Sequence, residues 1–126
     1  HQLGWVFNND TGVVTEWDPD TVRGADVAFS SYARLPAGDL PDSYPATAPD
    51  LVIEIFTSPS DRWPKVLVKI GEFLAAGVSL VLVLDNEHRR LHVFSGREAR
   101  ILGPDDVLTR PEVLPGFALA AGRFFE

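Results

Sequence analysis

Two apolar runs, DLVIEIFT at residues 50–57 and SLVLVL at 79–84, flank a stretch of helical periodicity, and this pattern constrains the fold more than any other feature. Short, nearly continuous apolar runs suit strands that are covered on both faces. Between them Trp63, Val66, Leu67, Ile70, Phe73 and Leu74 recur at the spacing of one helix face, which predicts a helix packed on a sheet. Ser60 or Asp61 can cap that helix, Pro64 is tolerated in its first turn, and Gly77 suits its C-terminal end. Strand, helix and strand in this order predict a right-handed crossover between two parallel strands.

The flanks read as hairpins. Gly4 to Asn8 and Gly12 to Trp17 look like two short strands, with the turn residues NDTG between them. An Asp18-Pro19-Asp20 turn follows. Val22 to Ser30 then alternates, with Val27 and Phe29 on one face and Asp26 and Ala28 on the other. Four prolines in residues 36–49 predict a loop. Beyond the second apolar run, residues 85–90 form a hairpin loop, Leu91 to Phe94 returns antiparallel, and Arg97 to Leu102 adds one more strand. A last apolar segment is expected to seal the core. The expectation is one α/β domain over residues 1–126, a mixed sheet with a crossover helix and flanking hairpins.

Composition removes several classes of function. No apolar run approaches the ~20 residues of a membrane span, and HQLGWVFNND has no signal-peptide pattern. There is no cysteine, hence no disulfide framework and no thiolate metal site, which agrees with a reducing cytoplasm. There is no methionine even at position 1, so the sequence predicts a processed product, an excised segment or a reading frame lacking its beginning. The net charge of −7 opposes long-range attraction to nucleic acid, because affinity for phosphate backbones comes largely from Lys and Arg.

Glu54 stands inside the first apolar run. Burying an unpaired carboxylate is costly, so it needs a cation, a proton or a solvent-filled cleft. If the strand of Asp26 is its neighbour, the two carboxylates can hold a divalent cation. Magnesium commonly uses one or two carboxylates with waters and substrate phosphate. Lys69 lies beside the apolar helix stripe, and its stem can reach toward the sheet to orient a water or neutralise developing charge. Each residue also has a plain reading. Asp26 is a turn former, Lys69 a surface lysine near Glu72, and Glu54 with Lys69 a salt bridge. Asp50 and Asp85 sit at strand ends and read as turn formers. His88 and His92, with Arg89 and Arg90, read as a solvated basic patch, and His1 is uninformative. There is no glycine-rich phosphate loop and no Gly-x-Ser-x-Gly elbow.

The segments NDTGVV, DPDTVRGADVAF, APDLVIEIFTSPSDR, VKIGEFLAAGVSLVLVLD and VLPGF, in that order, resemble a bacterial family described as putative restriction endonucleases, assigned to the PD-(D/E)-x-K nuclease superfamily. The resemblance covers essentially the whole chain and implies a restriction-endonuclease-like core. It places the family's metal-binding acids at Asp26 and Glu54, although Ala25 stands where the family has proline. The superfamily lysine falls at Phe56, which cannot serve, and the resemblance implies the lysine of the following helix, Lys69, in its place. It also implies a metal contact from the Ile55 carbonyl, magnesium or manganese as cofactor, DNA as substrate, and a homodimer as a common arrangement. Members usually carry a helical segment before the Gly-Trp strand, which this chain is expected to lack.

Two functional readings follow. In the first, the chain is a magnesium-dependent endonuclease that hydrolyses DNA phosphodiester bonds through Asp26, Glu54 and Lys69. In the second, it is a catalytically inactive nuclease-fold binding module, which Phe56 and the missing upstream segment favour.

Overall fold

The computed structural model describes residues 4–16, 21–34, 48–56 and 63–125. A six-stranded mixed sheet is built in chain order from β1 (Gly4–Glu16), β2 (Thr21–Ser31), β3 (Leu51–Phe56), β4 (Leu80–Asp85), β5 (Arg90–Phe94) and β6 (Ala99–Leu102). Helix α1 (Trp63–Ala75), the one α-helix among the described residues, joins β3 to β4, which are parallel, while every other pair in the sheet is antiparallel. Two short strands, β7 (Val107–Leu108) and β8 (Leu119–Ala120), and a 3₁₀ turn at Ala121–Phe125 complete the described residues. The expected Asp18-Pro19-Asp20 turn, the greater part of the proline-rich loop and the Ser60 or Asp61 cap lie outside them.

The first hairpin departs from expectation. NDTG does not separate two strands: Gly4–Glu16 is one long strand that pairs along β2. The register slips between Asn8 opposite Val27 and Thr11 opposite Ala25, so two residues of β1 face Asp26 alone. That is a β-bulge, a device that locally bends and twists a strand and is common beside active sites.

Alternation along the central strands divides the core in two. Leu51, Leu80, Leu82, Leu91 and Val93 face one side, where Leu108, Val113 and Ala121 of the C-terminal segment cover them. That segment seals the core as expected. Val52, Phe56, Val81 and Val83 face the other side and meet Ile70 and Phe73 of α1. Leu67 was expected in the buried helix stripe but is half exposed. It lies on the rim of the stripe, whose centre runs through Val66, Ile70 and Phe73, so only part of its surface can meet the sheet.

The helix ends where the sequence predicts. Gly77 takes φ 109°, and the amides of Val78 and Gly77 donate to the carbonyls of Phe73 and Leu74. This is the paired closure of a helix C-terminus that only glycine adopts without strain. Arg34 locks the same end. Its guanidinium donates to the carbonyls of Ala48, Pro49 and Gly77 and to Ser79 Oγ, and its Nε lies 3.2 Å from Asp50 Oδ1. Asp50 also accepts the Ser31 amide, so it is a structural anchor at the start of β3.

Candidate metal and phosphate site

At the other end of β3, Val52, Glu54 and Phe56 share the face that meets α1. Phe56 is buried against Trp63, with ring centroids 4.7 Å apart. Glu54 is carried into the same layer because its strand is apolar on both sides. Its side chain is only 12 % exposed. Burial raises its pKa to about 7. Lys69 opposes that rise, and the nearby Asp26 carboxylate adds to it.

Lys69 Nζ lies 3.0 Å from Glu54 Oε1 and 5.7 Å from the centre of the Phe73 ring. Its position on the rim of the helix stripe, opposite Leu67, lets the stem run along apolar surface while the ammonium reaches the sheet. The contact is an ion pair, and it leaves the Glu54 carboxylate, buried between β3 and α1, held by one ammonium. A buried carboxylate needs such a compensating cation, and a metal ion could take the ammonium's place.

Asp26 reaches the site from β2. The β2–β3 ladder runs from Phe29 opposite Leu51 to Val27 opposite Ile53. One step further Asp26 takes over, and its Oδ2 accepts the Ile55 amide at 2.8 Å. A side chain thus replaces the next ladder bond at the point where the β1 bulge also faces Asp26. Ile55 turns its side chain outward, half exposed, on the opposite face from Glu54. Asp26, Glu54, the backbone amide of Ile55 and Lys69 therefore lie together between β2, β3 and α1. Among the described residues no three carboxylates or imidazoles gather around one metal position. The acidic donors here number two, within the range magnesium accepts.

A second polar cluster lies nearby on the same face of the sheet. Asp85, at the end of β4, is buried and accepts the amides of Glu87 and His88 and the ring nitrogen Nδ1 of His88 at 2.9 Å. Burial alone would raise its pKa, but these donors outweigh it and hold it below the usual carboxylate value. The sequence places His92 in a solvated patch, but its ring packs at a tilt against Trp63, with centroids 4.6 Å apart, and lies parallel to Phe94 at 6.4 Å. Its Nε2 is buried, without a hydrogen-bond partner among the described residues and 4.0 Å from Asp85. Burial lowers its pKa. No local sequence signal marks this aromatic wall, because Phe56, Trp63 and His92 come from three separate elements.

A family model described as "Uma2: Putative restriction endonuclease" matches residues 1–122. Among solved structures, the fold is similar to that of a putative nuclease belonging to DUF820 from Anabaena variabilis ATCC 29413. That likeness has a TM-score of 0.79 at 19 % identity and covers 98 % of this chain and 68 % of that one. No curated protein matches the chain. No described helix is long and apolar enough to cross a membrane.

Proposed function

The chain belongs to the Uma2 family of putative restriction endonucleases, and we propose that it is a magnesium-dependent (or manganese-dependent) nuclease that hydrolyses DNA phosphodiester bonds. The observation that carries this reading is Glu54, a buried carboxylate that needs a cation, beside Asp26 and within 3.0 Å of the Lys69 ammonium.

Asp26 and Glu54 are the residues that would hold the metal. A strand residue turns its amide and carbonyl to the same edge, and the Ile55 amide faces Asp26. The Ile55 carbonyl is therefore on the side where a third ligand is wanted. The ion, when bound, supplies Lewis-acid polarisation of the phosphate. With Glu54 compensated by a cation, Lys69 would be free to point its three donors at a water or at the charge that grows on the phosphate. Phe56 and Trp63 close one side of the site with apolar surface, which strengthens charge–charge interactions inside it. A homodimer would present two such sites to the two strands of a duplex, and the absence of cysteine suits a cytoplasmic location.

The direct test is nicking of supercoiled plasmid in Mg²⁺ and Mn²⁺ by wild type, Glu54→Ala and Lys69→Ala. Loss of nicking in both variants supports the reading. Equal nicking by all three would trace the activity to contamination. The second reading, a binding module without catalysis, draws support from the Lys69–Glu54 ion pair, which already occupies the site's charge. Calorimetric titration with millimolar Mg²⁺ or Mn²⁺ separates the two, since the module takes up no metal at Asp26 and Glu54.

A further inference from the structure

We propose that the turn joining β4 to β5, led by Arg89 and Arg90, is an arm that grips the phosphate backbone of DNA beside the site, an assignment that rests on the nuclease reading above.

The turn stands at the same end of the sheet as the site. The Asn86 amide donates to the Phe56 carbonyl at 3.1 Å, two residues beyond Glu54 on β3. Trp63, at the start of α1, packs its ring against both Phe56 and His92, so the helix begins at this end too. It brings Lys65, exposed in its first turn.

The turn is built to hold its shape. Asp85 is 4 % exposed and binds the amides of Glu87 and His88 together with the His88 ring, which fixes two successive residues from beneath. Asp85 pairs with Arg90 across the base of the hairpin. At the last turn position Arg89 takes φ 51°, the left-handed conformation that glycine or asparagine adopts easily and other residues do not. A strained side chain kept where glycine would relax the backbone points to a use for that side chain.

The charges at this end are available. Arg34, Lys69 and Arg110 are engaged in ion pairs with Asp50, Glu54 and Glu98. Arg89 and Arg90 are exposed and have no ion-pair partner among the described residues. The one acid in the turn, Glu87, is exposed beside them. On a chain of net charge −7, such an arm supplies the local cation density that phosphate binding needs, since each neutralised phosphate releases counterions.

The test measures binding apart from cleavage, by fluorescence anisotropy of a labelled duplex with Ca²⁺ in place of Mg²⁺, over a series of salt concentrations. Arg89→Gly and Arg89→Asn are each expected to melt no lower than wild type, because both residues suit the left-handed position, and yet to bind several-fold more weakly. The double variant Arg89→Gly/Arg90→Ala is expected to lose about tenfold or more at low salt. Its plot of log K against log salt should flatten by roughly 1–2, as for one or two lost phosphate contacts. Arg97→Ala, which removes the same charge from the β5–β6 turn at the far end of the sheet, is expected to bind as wild type does. Wild-type affinity and slope in the double variant, with plasmid cleavage intact, would overturn the arm and leave the nuclease reading standing. An equal loss in Arg97→Ala would reduce the effect to bulk charge and overturn it as well. A wild-type protein that neither binds nor cleaves DNA would overturn both.

Discussion

The Asp26 carboxylate accepts the Ile55 amide at 2.8 Å, one step beyond the last ladder pair between β2 and β3. The bond anchors a metal-binding candidate to the backbone beside its partner Glu54, so the spacing of the two acids follows from the sheet.

Asp26 therefore has two separable duties. Asn at this position can still accept the Ile55 amide but carries no charge, whereas Ala can do neither. Asp26→Asn is expected to fold with near wild-type stability and to lose metal binding and cleavage. Asp26→Ala is expected to lose a further ~1 kcal/mol of stability, the usual worth of such a bond. Denaturant melts and metal calorimetry on both variants check this.

Glu54 makes stability depend on pH in a definite direction. In the folded protein it holds its proton up to about pH 7, against 4.5 for an ordinary glutamate. Between those values the folded state binds more protons than the unfolded chain, so this group's contribution falls as pH rises and is constant above about 7. The penalty at neutral pH and above is on the order of 3 kcal/mol at most. Glu54→Gln is expected to flatten the pH profile in that window and to be at least as stable as wild type at about pH 8. Lower stability of the Gln variant there would mark the Glu54–Lys69 pair as a net structural ion pair.

Magnesium is expected to offset the same penalty. A ligand that binds only the folded state stabilises by mass action. Millimolar Mg²⁺ or Mn²⁺ should raise the melting temperature of wild type by a few degrees. The shift should be larger at about pH 8 than at about pH 5.5, because the metal needs Glu54 unprotonated. Glu54→Ala and Asp26→Asn should show no shift. Differential scanning fluorimetry provides the readout.

Lys69→Ala separates chemistry from metal binding. The ammonium competes with a cation for Glu54 Oε1, so the variant is expected to bind Mn²⁺ at least as tightly as wild type. Its cleavage rate should fall about 10²–10³-fold, the scale for losing one donor to a transition-state charge. Single-turnover cleavage at saturating metal measures the rate.

Arg34 tests the opposite end of the fold. It binds the carbonyls of Ala48, Pro49 and Gly77, the Ser79 hydroxyl and Asp50. Arg34→Ala leaves those carbonyls and a carboxylate without their partner and is expected to cost roughly 3 kcal/mol. The folded fraction should cleave at the wild-type rate, because none of these contacts touches the site.

Much of this was legible in the sequence, for reasons tied to particular residues. A glutamate inside LVIEIF needed an explanation on burial grounds alone, and the stripe from Trp63 to Leu74 put Lys69 on a rim from which its stem could reach inward. What was not legible depended on pairing between distant segments. NDTG reads as a turn by composition, yet continuous pairing with β2 makes it a bulge within one strand. The Asp26–Ile55 bond depends on the β2–β3 register, which no local pattern encodes. His92 looked solvated beside Arg89 and Arg90, but Trp63, from another element, covers it.

The most direct measurement is a crystal grown in Mn²⁺, with anomalous diffraction locating the ion. One peak within coordination distance of both Asp26 and Glu54, about 2.2 Å, with Lys69 turned away from Glu54 Oε1, is the predicted result. Saturating Mn²⁺ that leaves these two carboxylates bare and the Lys69–Glu54 pair closed would contradict the assignment of a metal-dependent nuclease site.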